Sequence, residues 1–317
     1  MADSNQVLYV LMPVSFIGSV LNWISFYSIH KLASFNHSFG YLSANQALAD
    51  ALHSTVFLLY FCPMVLLDQT YMKQYSHLCG FLLLFCYELS VLTHSAISLN
   101  RYISVWSPLF YESFFSVSKT KSVIFVLWLY NGIATLVLYE KYCHFYFDDS
   151  IGFLTFNNSE LCSDIGWYGD FLKNSFIVAV VLCFDIITLI GVRRVSKKLK
   201  SGMTDATIKK FSRRDRRFLK QTLIQGSVFM LELLTYFFIP QYFTNRWIVF
   251  FGTSFAWVAV HVADGLVFIS IIFSLKNFCR LIVIICNPEI RNFLLADKTS
   301  LRRGTIVQVS SVVVHPQ

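Results

Sequence analysis

Charge is what this sequence has least of: Asp, Glu, Lys and Arg make up 14 % of its 317 residues, where a soluble domain carries roughly 25 %. So few charges cannot cover the surface of an ordinary water-soluble globule of this length. Chemistry-bearing motifs are missing as well. The eight Cys include no CxxC pair, so zinc and iron–sulfur sites have no ligand frame. There is no HExxH, no GxGD-like acid pair and no Ser/His arrangement, and the lone acids fall on different apolar runs at different depths, so no enzyme is indicated. Internal repeats and low-complexity tracts are absent. A basic leader is absent too: residues 1–6 are polar and include Asp3, and the run after them is too long for a signal-peptide core.

What is present is apolar. The hydrophobic fraction is 56 %, with 32 Phe and 16 Tyr. A membrane helix needs about 20 mainly apolar residues, and seven stretches meet that length: 7–29, 40–67, 78–104, 122–142, 171–192, 221–242 and 248–273. The expected fold is an all-α membrane protein, a seven-helix bundle over 1–292 with a short tail at 293–317.

The basic residues set the orientation, because cytoplasmic loops retain Lys and Arg. With the N-terminus outside, the inner segments hold one, three, twelve and six of them, 22 of the 26. The other four, Lys73, Lys141, Lys173 and Arg246, lie in outer segments, and the outer loop 143–170 is acidic. The C-terminus is then cytoplasmic. The net charge of +8 therefore reports positive-inside anchoring, not a nucleic-acid surface. The basic stretch between the fifth and sixth runs suits anionic lipid and equally a cytoplasmic partner. Asn157-Asn158-Ser159 is an N-glycosylation acceptor on the outer loop; Asn36-His37-Ser38 has the same pattern on the inner side and is expected to stay unmodified.

The third run ends in "SLNRYISVWSPLFY". From Cys79 to Arg101 is 22 steps, about 33 Å of helix, close to the hydrocarbon thickness. A helix-end arginine often snorkels to phosphates. Five acids lie inside the runs, Asp50, Glu88, Asp185, Glu232 and Asp264, with no Lys or Arg expected at their depth. Such groups are costly in a membrane and point to function.

The first run carries Gly18-x-x-x-Asn22 and the second "NQALADAL", which resembles the rhodopsin-like pattern ending in Asp50. Across residues 18–292, "SFGYLSANQALAD", "YFCPM", "SLNRYISVWSPLFYESFFS", "CSDIGWYGDFLKNSF", "FDIITL", "FAWVAVHVADG" and "NPEIR" resemble, in order and spacing, the nematode serpentine chemoreceptors of class X. That resemblance implies a chemosensory receptor in the plasma membrane of a sensory cell, in its cilium. Its implied partners are a heterotrimeric G protein, the lipid bilayer and a small-molecule or peptide cue, with no nucleic acid.

The resemblance also implies site residues. Asn100, Arg101 and Tyr102 match the Asp/Glu-Arg-Tyr triplet of rhodopsin-like receptors, Arg101 being the pivot of activation. Asn100 departs from it and cannot supply the adjacent carboxylate. Asn287-Pro288 stands for the Asn-Pro motif near the inner end of the seventh helix. Asp50 and Asp264 match neighbouring inner-half positions, so a shared sodium ion is expected there, set against two protonated or water-linked carboxyls; no other cofactor and no metal site is expected. Leu83 stands where amine receptors carry an acid, so no amine ligand is implied. The ligand pocket is expected among Tyr87, Glu88, Tyr236, Gln241, Trp257 and His261. Cys79 and Cys162 match the disulfide usual in the superfamily, with Cys143 a competing partner.

Two rivals stand against a G-protein-coupled receptor. A seven-helix ligand-gated channel keeps its N-terminus inside, opposite to the basic-residue count. A small-solute transporter is expected to show repeat symmetry and paired broken helices, which the sequence lacks. One feature is out of register: 21 residues separate Gly265 from Asn287. Either the last helix is long and an interfacial helix follows it, or a retained intron has lengthened the predicted chain.

Overall fold

The computed structural model describes residues 2–32, 35–199 and 205–274, with side chains over 6–32, 35–194 and 223–270. Among the described residues seven helices are long and apolar enough to cross a membrane: α1 Gln6–Lys31, α2 Ser38–Leu66, α3 Ser76–Trp106, α4 Val117–Tyr142, α5 Glu160–Arg194, α6 Leu223–Tyr242 and α7 Arg246–Ser270. All lie in the compact unit Met1–Ser270. Asn287 and Pro288 lie outside the described residues.

The bundle is apolar outside and polar within. On α4, Phe125, Val126, Leu129, Tyr130 and Ile133 are exposed, whereas Thr120, Asn131 and Thr135 are buried. Lipid rewards that arrangement, because tails are as apolar as Leu and helices associate through packing and interhelical hydrogen bonds. Such bonds stitch three helices together: Trp128 Nε1 donates to Asn45 Oδ1 (2.8 Å), and Asn45 Nδ2 donates to Thr93 Oγ1 (2.8 Å). Asn131 Nδ2 adds a bond to the Phe85 carbonyl at 2.8 Å.

Two departures from regular helix serve the ends. Pro63 lacks an N–H, and the wide π-helical turn Phe57–Phe61, one residue before it, takes up the resulting mismatch within α2. The segment expected as loop up to residue 170 is instead wound into α5 from Glu160, where the Ser159 side chain caps the start by accepting from Cys162 N at 3.2 Å. Residues 165–172 form a further π-helical stretch, and this brings Asp170 onto the helix.

Between α4 and α5 lies a hairpin, β1 Phe145–Asp148 against β2 Phe153–Phe156, antiparallel with Phe145 opposite Phe156. It lies on the bundle end with Phe145, Phe147 and Phe153 buried. β1 passes so close to α3 that a Cβ on Gly80 would sit 1.9 Å from the Phe145 carbonyl oxygen; only glycine permits that approach. This is called the hairpin end, and the opposite one the Arg101 end.

Candidate functional site

Three polar groupings run through the bundle. At the Arg101 end, Asn100 is buried and donates through Nδ2 to the Tyr111 hydroxyl at 3.1 Å. Tyr111 belongs to the short helix Pro108–Phe114, started by Pro108 at its first turn. The Arg101 guanidinium lies over the Phe39 ring, 5.2 Å from its centroid. Asp185 of α5, fully buried, is within electrostatic reach of Arg101 and accepts from Ser98 Oγ at 2.9 Å. The acid that acts electrostatically on Arg101 thus stands on a neighbouring helix and not at position 100. Tyr102 packs on Phe184, ring centroids 5.0 Å apart.

At mid-bundle, Asp50 Oδ1 receives Ser90 Oγ (2.8 Å) and faces His261 Nδ1 (2.8 Å). His261 therefore belongs to the Asp50 network, and its ring lies 3.8 Å from that of His53. One turn along α2, Gln46 Nε2 donates to Asp264 Oδ2 at 3.1 Å. Asn22 on α1 donates to the Gly18 and His261 carbonyls, at 3.0 and 2.9 Å, and a Cβ on Gly265 would come within 2.9 Å of its Oδ1. Among the described residues four buried oxygens near these contacts have no hydrogen-bond partner: Asp50 Oδ2, Asp264 Oδ1, Asn22 Oδ1 and Ser54 Oγ. Hard oxygen donors of this kind suit a small hard cation. Among the described residues no cluster of three His, Cys, Asp or Glu could hold a metal ion.

At the hairpin end, Glu88 is not without a cation. Lys173 Nζ reaches Glu88 Oε1 at 2.7 Å, correcting the expectation that the intrahelical acids have no basic partner. Lys173 is one-third exposed: its stem runs along α5 while its ammonium reaches inward. Asn174 Nδ2 bridges Glu88 Oε1 (3.0 Å) and Asp170 Oδ1 (2.8 Å). Beside this group, Tyr87, Asp170, Glu232, Tyr236 and Trp257 line a cavity whose atom-free space is about 250 Å³, narrow enough to admit only about one water. Trp257 joins the levels, packing edge-on against His53 below (4.9 Å) and Phe145 of the hairpin (5.8 Å).

Of the expected pocket residues, Tyr87, Tyr236 and Trp257 meet at this cavity, and Glu88 stands next to it. Gln241 does not: it is exposed and bonds its own helix, Nε2 to the Phe237 carbonyl at 2.9 Å. Asp170 and Asn174 were not singled out from the sequence. Their i, i+4 spacing in "GDFLKN" is the one signal for them, and it becomes visible only once residue 170 is taken as helical.

The disulfide differs from the expected pairing. Cys143 is bonded to Cys162, with a Cα–Cα distance of 5.1 Å, and Cys79 is a buried free thiol. The hairpin is the reason: β1–β2 doubles the chain back, so its two flanks meet each other before either meets α3. Cys62 and Cys86 are buried as expected, while Cys183 is exposed. What holds the hairpin to the bundle is Phe147 N donating to Ser76 Oγ at 3.0 Å and a clasp in which Lys73 bridges Asp68 and Asp149. Partial burial alone would lower the Lys73 pKa, but the two carboxylates outweigh it and hold the ammonium above its usual value. The same bond holds the Asp68 carboxyl below its usual range. Asn157 is exposed just past β2.

Against known proteins, residues 12–271 match the family model described as "Serpentine type 7TM GPCR chemoreceptor Srx"; the match ends before "NPEIR". The chain is 30 % identical over 312 residues to serpentine receptor class X 45 of Caenorhabditis elegans, covering 92 % of this chain and 83 % of that one. It is 24 % identical over 242 residues to serpentine receptor class X-43 of the same organism, covering 75 % and 74 %. Its fold is similar to that of squid rhodopsin, with a TM-score of 0.67 at 14 % identity over 88 % of this chain and 87 % of that one.

Proposed function

The chain belongs to the serpentine class X chemoreceptors, a family of seven-transmembrane G-protein-coupled receptors and not of enzymes, and from that premise we propose that it activates a heterotrimeric G protein on binding a chemical cue. The Arg101 end faces the cytoplasm in this reading, because the basic residues collect there. The hairpin end then faces outward, with Asn157 open to glycosylation, and the receptor sits in the plasma membrane of a sensory cell, in its cilium.

The observation that carries the reading is the environment of Arg101. A buried asparagine, an aromatic ring and a neighbouring-helix acid surround one arginine at the end of α3. In this reading the group switches between two arrangements: arginine turned to Asp185 and Phe39 within the bundle, or released to meet an inserted partner. Ligand binding at the hairpin end biases that equilibrium only by its differential affinity for the two states. Trp257, touching both the cavity wall and His53 above Asp50, is the element through which the two ends are coupled.

In this reading a sodium ion binds beside Asp50 and Asp264, whose unpartnered oxygens support it, and steadies the resting bundle. The test is expression in reporter cells with a set of G-protein α subunits, wild type against Arg101→Ala. Loss of signal in the variant at equal surface expression supports the proposal. Equal signalling by both overturns it.

A further inference from the structure

We propose that the hairpin-end cavity takes a small organic cation, a primary ammonium group held between Asp170 and Glu232 and against the faces of Tyr87, Tyr236 and Trp257; this names the cue class and rests on the receptor reading for its setting. The charge inventory points this way. Asp170 shares Asn174 with Glu88 and lines the cavity with Glu232; among the described residues the Lys173 ammonium pairs with Glu88 and acts on Asp170 only electrostatically. Among the described residues Asp170 accepts a hydrogen bond from Asn174, and Glu232 Oε2, on a side chain only 4 % exposed, has no hydrogen-bond partner. Taking a charge out of water is costly unless it is paired, so a ligand that brings a positive charge gains where a neutral one does not.

The walls fit the same class. Tyr87 and Trp257 lie 5.8 Å apart and Tyr236 and Trp257 6.3 Å apart, centroid to centroid, and aromatic faces attract organic cations. Size points to a compact head group, since the space admits about one water, which an ammonium resembles in volume. Two features disfavour a metal ion: the wall is mostly aromatic and aliphatic, and no described cluster offers three metal-ligating side chains. Leu83, where amine receptors place their acid, is irrelevant to this site, because its acids come from α5 and α6.

The test is thermal unfolding of the purified full-length chain in detergent against matched pairs: ammonium chloride, methylamine, isobutylamine and 2-phenylethylamine, with sodium chloride and the neutral isosteres methanol, isobutanol and 2-phenylethanol. At least one amine is expected to stabilise the protein while its alcohol does not. Glu232→Gln and Asp170→Asn are each expected to weaken that binding roughly 30-fold, as loss of one partner of a buried charge pair does. Unliganded unfolding temperatures establish that each variant is folded, and either one alone suffices. Amines that do no better than their alcohols, amine binding indifferent to both variants, or an equal Glu232-dependent shift with sodium chloride overturns the proposal. G-protein signalling recorded in parallel separates the two claims. Amines that bind without signalling leave the site assigned and sink the receptor reading. Alcohols that signal independently of Glu232 do the reverse.

Discussion

Asn100 donates to the Tyr111 hydroxyl at 3.1 Å, so the residue before the key arginine is tied to the short helix after α3. Replacing it with a carboxylate gives Arg101 a second acid beside Asp185. Asn100→Asp is expected to lower basal G-protein signalling, because the resting state gains a charge-assisted bond. Tyr111→Phe, which removes about 1 kcal/mol of hydrogen bonding, is expected to change basal signalling by up to about fivefold. Basal reporter activity at matched surface expression checks both, and an unchanged value for Asn100→Asp would remove the clamp from the account.

Asp50 and Asp264 set the second prediction. If sodium occupies the unpartnered oxygens, agonist affinity falls as sodium replaces an inert cation such as N-methylglucamine. Asp50→Asn is expected to abolish that dependence while leaving affinity in sodium-free buffer near the wild-type value. Sodium dependence that survives the variant places the ion elsewhere.

The hairpin disulfide gives a covalent prediction. Alkylation and peptide mapping of the unreduced protein are expected to find Cys143 linked to Cys162, with Cys79 free and labelled only after unfolding. Cys143→Ser and Cys162→Ser are expected to lose surface expression alike, and Cys79→Ser to be tolerated. A Cys79–Cys162 peptide would restore the pairing usual in the superfamily.

Charge at the hairpin end predicts a pH response with a definite sign. The Asp68 carboxyl is held low, so its contribution is present above the ordinary value of 3.8 and is lost as pH falls through the lower folded value. The Lys73 ammonium is held high, so its contribution is present below 10.5 and is lost as pH rises through the folded value. Between about pH 5 and 9 both remain charged. Protease susceptibility of the hairpin is therefore expected to be flat over that window, yet to increase with salt because surface pairs are screened. Lys73→Met should remove the salt effect.

The polar stitch between helices can be measured as stability. Asn45→Leu removes the bonds to Trp128 and Thr93, at about 0.6 kcal/mol each in a membrane, and leaves the half-buried indole N–H without this acceptor. A loss of about 1–2 kcal/mol is expected, read as a lowered unfolding temperature in detergent, while Ser122→Ala on the exposed side should change little.

The seven crossings were legible because a membrane demands long apolar runs, and no loop can imitate them. Family order and spacing likewise placed Arg101 and Asp50. Partnerships were not legible, because they depend on helix rotation and on where helices begin. Lys173 counts as an outer-segment cation at the start of the fifth run, yet α5 begins eleven residues before that run, and the ammonium reaches Glu88. Asp170 looked like one of several loop acids for the same reason. Gln241 was placed by depth alone and turns outward. The disulfide usual in the superfamily is not formed, because a local hairpin joins Cys143 to Cys162.

The claim on which everything else rests is that this bundle passes a signal through Arg101. The most direct measurement is nucleotide exchange on a purified G protein added to membranes containing the receptor, wild type against Arg101→Ala at equal receptor density. Exchange above that of receptor-free membranes, lost in the variant, is the expected result. Exchange at the receptor-free level with every α subunit tried, or exchange equal in the variant, would contradict it.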